Sequence, residues 1–469
     1  MSPRQLLRGA AIAAAATALV AASAVSPALA HGNGHGNGNH GGHGNSHGNH
    51  GHADSAGPTD INGYRSVGYL MSDTPVTRDY QIEDLLRTGA IEDVTHINYA
   101  FGNVTTKLKC EITDVPGEGD AQNDYLRLVS AADSVDGKKD KANKHQRLAG
   151  NFNQLKKLKE VSPDTKVLIS LGGWTWSDNF SEAASTPESR AALVSSCIDV
   201  YLKGNLPKVG DLGGPGAAAG IFDGIDVDWE WPVNGGETAN AKPEDKENFL
   251  ALMEEFRAQL DAYGAVTGED YLLTAFGPAG GWNTNAGGWN TARLFAAIDW
   301  LNVQGYDYAG GWTGNTGHQG NLHPDGANNW GLAIDNAIAL YTAGGARPDQ
   351  LNVGLAAYGQ GWTGVTVGDR AGWTPDPAVT SIGTKPYYEI RDIGEGYFDP
   401  ALGASWRFDA ASGQWWSLDD PSSVTAKAEW LAQQGYGGAM WWDLSGDYRN
   451  ELGDALGHAL RSADEGPLD

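Results

Sequence analysis

Cysteine, methionine and positive charge are the scarce commodities of this chain. It has two cysteines and four methionines in 469 residues, and 32 basic against 58 acidic side chains. Two cysteines exclude a multi-disulfide scaffold and a cysteine-ligated metal cluster. A net charge of −26 argues against nucleic acid and anionic membrane surfaces, and favours a neutral or cationic substrate. Only one long apolar run occurs, Ala10 to Val25. It follows Arg4 and Arg8 and precedes the small-residue site Ala28-Leu29-Ala30, so residues 1–30 read as a secretory signal rather than a membrane anchor. A secreted, extracellular location follows, with no membrane partner. In that setting Cys110 and Cys197 either pair, adding about 4 kcal/mol in the chain-entropy picture, or stay as two partly buried thiols.

Residues 31–59 open with a His-Gly-Asn tract that holds seven of the twelve histidines, His31 to His52. It has no apolar side chains to bury and reads as a disordered leader. Irregular spacing, with neither Cys nor acids nearby, sets metal binding second. The remainder, 60–469, is long enough for one large α/β domain.

Eight short apolar runs recur along it: Ser66–Tyr69, Val94–Phe101, Val167–Leu171, Ile221–Trp229, Tyr271–Phe276, Trp300–Tyr306, Leu351–Ala357 and Gly437–Trp442. They read as strands buried on both faces. Helical periodicity lies between them, clearest where Phe249, Met253, Phe256 and Leu260 share one face. Strand and helix alternating eight times predict an α/β fold, a (β/α)8 TIM barrel; an open doubly wound sheet would carry a Gly-rich phosphate loop after its first strand, and Gly68-Tyr69-Leu70 is not one. The stretch between Tyr358 and the helix at Val424 is too long for an ordinary loop and reads as a small α+β insertion between strand 7 and helix 7, residues 363–420.

In such a barrel, functional residues sit at the C-terminal strand ends. Those ends are polar or aromatic: Phe101, Gly173-Trp174, Gln304-Gly305-Tyr306-Asp307, Tyr358 and Trp442. Tyr69, near the end of the first run, joins them. Tryptophans flanked by glycine in predicted loops are numerous: Trp174, Trp176, Trp231, Trp282, Trp289, Trp312, Trp362 and Trp373. As a set they suggest a groove lined with rings that stack on sugars; for each one, burial under a loop is the competing outcome.

The fourth run is the most informative. Asp223, Asp226, Asp228 and Glu230 crowd into Phe222–Trp231. With the two-residue period of a strand, Asp226, Asp228 and Glu230 share one face while Ile225, Val227 and Trp229 share the other; Asp223 is out of phase and reads as scaffolding at a strand end. Three acids on one buried face are costly unless they share protons or hydrogen bonds. A glycosidase pair is the leading chemistry. A divalent-metal site, a structural ion-pair network and a sugar-binding pocket without chemistry stay open on the residues alone.

Asp223-x-x-Asp226-x-Asp228-x-Glu230 resembles the DxxDxDxE signature of family 18 glycoside hydrolases, the chitinase family. Ser170-Leu171-Gly172-Gly173 is similar to its third-strand SxGG motif, Gln304-Gly305-Tyr306-Asp307 to its sixth-strand motif ending in Tyr-Asp, and Gly438-Ala439-Met440-Trp441-Trp442 to its eighth-strand motif. The resemblance runs from about Arg65 to Leu460. It implies hydrolysis of β-1,4 bonds in chitin and N-acetylglucosamine oligosaccharides, with retention and with the substrate's acetamide as nucleophile. It implies Glu230 as general acid, Asp228 as the handle on the acetamide N–H, Asp226 as its proton-sharing partner and Tyr306 as donor to the acetamide oxygen. The substrate would meet Tyr69, Phe101, Gly173, Trp174 and Trp231 on one side, and Gln304, Asp307, Tyr358 and Trp442 on the other. No metal, no cofactor and a monomer are expected. Gln304 stands where many members have Met, and Gln360 where many have Arg. An endo-β-N-acetylglucosaminidase acting on N-glycans and a non-cutting chitinase-like lectin are the alternatives. The Tyr-Asp pair and the insertion weigh against the first, and Glu230 against the second.

Overall fold

The computed structural model describes residues 58–237, 240–325, 329–366 and 379–468. The predicted secretory signal, the predicted leader up to residue 57 and Trp373 lie outside the described residues. Eight strands form a closed barrel: β1 (Arg65–Met71), β2 (His96–Gly102), β3 (Lys166–Gly172), β4 (Gly224–Asp228), β5 (Leu272–Gly277), β6 (Trp300–Val303), β7 (Leu351–Ala356) and β8 (Gly438–Trp442). Each pairs in parallel with its chain neighbours, and β8 closes on β1. All eight coincide with the apolar runs, because strands covered by helices outside and side chains inside are largely apolar on both faces.

The helices between them are set by local signals as well as by burial. Pro187–Cys197 starts at a Thr186 capping box with proline in its first turn, and Pro421–Gln434 repeats the device with Asp420 and ends at left-handed Gly435. In Asp245–Thr267 the predicted stripe Phe249, Met253, Phe256 and Leu260 is fully buried. The N-terminal end of the barrel is closed by a polar and aromatic plug. The Arg65 guanidinium lies 4.6 Å over the Trp300 ring and donates to Asn352 Oδ1 at 3.3 Å, with the His96 ring edge-on to Trp300. Burial lowers the Arg65 pKa only to about 10, so it stays charged. The same burial pushes the His96 imidazole down to about 3 and keeps it neutral.

A separate five-stranded antiparallel sheet stands between β7 and the helix Pro421–Gln434. Its strands are Tyr358–Thr363, Thr380–Pro386, Glu395–Asp399, Ala404–Asp409 and Gln414–Leu418, with the short helix Tyr387–Ile390. The sheet begins at Tyr358, directly after β7, so its first strand carries side chains from the barrel mouth into the insertion. Trp362, Val365, Trp406 and Trp415 form its own small core with Ala309.

Two of the glycine-flanked tryptophans are packed inward rather than toward a groove. Trp289 is fully buried between Phe249 (ring centroids 4.3 Å) and Trp231 (6.1 Å), and Trp362 is buried against Trp415. Their glycine neighbours reflect tight packing on indole rings: a Cβ on Gly287 would lie 2.8 Å from the Trp289 ring, and one on Gly361 would lie 2.5 Å from that of Trp416. Trp282, by contrast, is 54 % exposed.

Cys110 and Cys197 are disulfide-bonded, with Cα atoms 4.8 Å apart across 87 residues of sequence. The bridge ties the loop after β2 to the end of the helix Pro187–Cys197. Closing a loop of this length restricts the unfolded chain by about 4–5 kcal/mol. We expect Cys110→Ser/Cys197→Ser to melt several degrees lower than the parent in calorimetry without reductant, and reductant to have no further effect on the variant.

Candidate active site

The alternation read from the fourth run is realised in β4. Ile225 and Val227 face outward and are fully buried; Trp229, just past the strand, stacks on Phe180 (5.3 Å, 13° between planes) and meets Phe249 edge-on. Asp226 and Asp228 face into the barrel, 0 % and 2 % exposed. The register sets Asp226 between Ser170 of β3 and Thr274 of β5. Asp223 faces away: it pairs with Lys159 and accepts a 2.8 Å hydrogen bond from the Val167 N–H, anchoring the start of β4.

Asp226 is held by three hydroxyls. Tyr69 (2.7 Å) and Ser170 (2.8 Å) donate to Oδ2, and Thr274 (2.5 Å) donates to Oδ1. Burial raises its pKa overall and these donors pull it part of the way back, so of the two inward aspartates it is the one whose charged form is better supported. Asp228 has no such support. Its Oδ1 is buried without a hydrogen-bond partner, and burial, then Glu230 and Asp226, push its pKa well up. The proton shared within the pair therefore resides on Asp228. Glu230 lies beyond the strand end, half-buried, with its N–H donating to Ser177 Oγ at 2.9 Å. Burial, then the Asp307 charge, raises its pKa to about 8, so it is protonated at neutral pH.

The other side of the mouth comes from β6 and the insertion. β6 leaves the sheet after Val303, two residues before Gly305, where a Cβ would collide with the Gly354 carbonyl. The turn that follows brings Tyr306 inside, buried and stacked on Phe276 (6.2 Å, 19°). Asp307 takes a left-handed backbone conformation, φ +59°, and its Oδ1 accepts from Tyr358 (2.7 Å) and Gln360 (2.9 Å), both on the first inserted strand. Gln304 is part-buried, its Oε1 accepting from the Ala279 N–H at 3.4 Å.

Aromatic rings line the space between. Trp442 stacks on Phe101 (5.7 Å, 25°) and lies 5.3 Å from Tyr69. Trp231 stacks on Phe276 (5.8 Å, 29°). Trp174 is part-buried and close to Gly236. Gly173 is required where it stands: its φ is +76°, and a Cβ there would lie 2.5 Å from the Phe101 ring. Glu230, Asp228, Asp226, Tyr306, Asp307, Tyr358, Tyr69, Gln304 and Trp442 thus converge on one mouth, with Phe101, Gly173, Trp174 and Trp231 around it. Two partners were not singled out from the sequence: Thr274, whose hydroxyl completes the cradle of Asp226, and Ser177, which holds the Glu230 backbone. The signal for Thr274 was available, since Leu272, Thr274 and Phe276 alternate on one face and a lone hydroxyl in that phase points at β4. Ser177 sits in a loop with no periodicity. Among the described residues no cluster of three or more His, Cys, Asp or Glu is placed to hold a metal ion.

A closed parallel barrel with protonatable carboxyls gathered at the C-terminal end of β4 defines the class: a TIM barrel of the glycoside-hydrolase kind. Residues 65–447 match the model for Glycosyl hydrolases family 18, and the chain belongs to that family. It is similar to the catalytic domain of psychrophilic chitinase B from Arthrobacter TAD20, with a TM-score of 0.83 and 43 % identity over 87 % of this chain and 98 % of that one. Chitinase C of Streptomyces lividans is 35 % identical over 84 % of this chain, and chitinase A1 of Niallia circulans 32 % over 84 %. The chain spans 59 % and 58 % of the lengths of these last two. Among the described residues no helix is long and apolar enough to cross a membrane.

A carboxyl whose folded pKa is raised favours folding most below its unfolded pKa, and that contribution is lost as pH rises through the folded value. For Glu230 the window runs from the ordinary 4.5 to about 8. Glu230→Gln, which cannot ionise, should therefore melt close to the parent at pH 4.5 and above it at pH 9, as read by differential scanning calorimetry.

Proposed function

We propose that this protein hydrolyses β-1,4 bonds between N-acetylglucosamine units in chitin and its oligosaccharides, retaining configuration and using the substrate's own acetamide as nucleophile. The observation that carries the reading is the division of states among the three acids. Asp226 is cradled by three hydroxyls, Asp228 is buried with a partnerless oxygen, and Glu230 is held protonated. A carboxylate nucleophile would have to be ionised and open to the sugar, and neither inward aspartate meets that requirement. Chitinases among the relatives support the substrate class.

In the proposed reaction Glu230 gives its proton to the glycosidic oxygen as the C1–O bond breaks. The acetamide oxygen closes on C1, forming a cyclic oxazolinium. Asp228 accepts a hydrogen bond from the acetamide N–H, and as positive charge develops its proton passes to Asp226. Tyr306, whose pKa is driven well up by burial and then by Asp228, keeps its O–H and donates to the acetamide oxygen. Trp442, flanked by Phe101 and Tyr69, supplies a floor for the sugar ring. The Glu230 carboxylate then takes a proton from water, which opens the ring at C1 from the original face. Secretion is proposed on the pattern of residues 1–30, and a monomeric enzyme without metal or cofactor completes the reading.

Glu230→Gln should lower kcat on chitin oligosaccharides by about 10²–10⁴-fold or more while leaving oligosaccharide binding intact. Turnover near the parent's would sink the assignment. Proton NMR of the first product should show the β-anomer; an initial α-anomer would exclude acetamide assistance. In the parent, kcat/KM should hold through neutral pH and fall as pH rises through about 8, where Glu230 ionises.

A further inference from the structure

We infer that Ser177 is a positioning residue for the general acid: its hydroxyl replaces the strand neighbour that Glu230 loses on leaving the barrel. The inference rests on the reading of Glu230 as the acid. The parallel ladder between β3 and β4 ends at the pair Gly172 and Asp228, with a last backbone bond from the Gly173 N–H to the Asp228 carbonyl at 2.8 Å. Glu230 lies two residues further on, where no strand runs beside it. An unpaired N–H in this half-buried place would leave the backbone of the acid free to turn. Ser177 Oγ accepts that N–H at 2.9 Å, and its own proton faces the Gly173 carbonyl at 2.9 Å and the Asp228 carbonyl at 3.2 Å. One hydroxyl therefore joins the end of β3, the end of β4 and the acid.

The hydroxyl is itself held. Ser177 is buried in the loop after β3, the Asn179 amide donates to the Val104 carbonyl at 2.9 Å, and Phe180 stacks on Trp229, the residue before Glu230. Both sides of the bond are thus fixed to the barrel. The Glu230 carboxyl has no side-chain hydrogen-bond partner of its own among the described residues, so its place over the bond to be broken is set through the backbone that Ser177 holds. Proton donation is sensitive to such placement, because the acid must reach hydrogen-bond distance of the leaving oxygen.

The test is a leaving-group contrast on the full chain. A chitotetraose bond needs a proton on the departing sugar oxygen; a dinitrophenyl chitobioside releases an anion that needs none. For Ser177→Ala we expect kcat on chitotetraose to fall about tenfold or more with KM within about twofold, and kcat on the dinitrophenyl glycoside to fall less than about threefold. Equal losses on the two substrates, or turnover of both within twofold of the parent, would overturn the proposal. A purely structural role would lower the melting temperature and cut both rates together. If Ser177→Ala does not fold, Ser177→Cys keeps the volume, exchanges the hydroxyl for a weak donor and acceptor, and is read the same way. Glu230→Gln, run in parallel, separates the two ideas. If it cleaves chitotetraose like the parent, the acid assignment fails; if it is inactive and Ser177→Ala shows no contrast, only the role of Ser177 falls.

Discussion

Everything at the mouth of this barrel depends on how one buried charge is tolerated. Asp226 has no exposure at all, and a lone carboxylate in such a place would simply take a proton. Hydroxyls from three other strands, Tyr69 on β1, Ser170 on β3 and Thr274 on β5, supply what water would have supplied. Hydrogen bonds to a charged group contribute about 1.5–3 kcal/mol each, which offsets a large part of the desolvation. Because that support goes to Asp226 and not to its neighbour, Asp228 holds a proton more readily than Asp226 although the two differ little in burial. Asp228 is left with the proton and a bare oxygen, and Glu230 above it stays neutral.

The surrounding architecture serves to keep those differences fixed. The Arg65, His96 and Trp300 plug packs the far end of the barrel, opposite the acids. The insertion contributes directly to the site: Tyr358 and Gln360, on its first strand, hold Asp307, whose charge helps keep Glu230 protonated. Both donors to Asp307 are neutral. They orient the carboxylate while leaving its charge to act on Glu230.

Much of this was legible in the chain itself. The eight apolar runs became the eight barrel strands, since a strand covered on both faces is mostly apolar. The phase of Asp226 and Asp228 against Ile225 and Val227 gave the inward face, and the displaced phase of Asp223 marked it as an anchor, which its pairing with Lys159 bears out. The glycine-flanked tryptophans were less legible. A glycine beside a tryptophan is compatible with an exposed ring and with a backbone pressed against an indole, and Trp289 and Trp362 follow the second course. The first inserted strand was also hidden, because Tyr358 to Thr363 continues from β7 with only one residue between.

By itself, then, the sequence determined the periodicities: a barrel, an inward acidic stripe and the family motifs that mark its strand ends. These are local properties, fixed by alternation along a few residues. Only the tertiary structure decided which carboxyl carries the proton, because that depends on hydroxyls brought from strands up to 157 residues away, as Tyr69 is from Asp226. It likewise decided that Cys110 and Cys197 meet and that Ser177 lies against the Glu230 backbone. Proximity across separate loops leaves no periodic trace in a chain, and the free energy of a buried charge is set by whatever that proximity supplies.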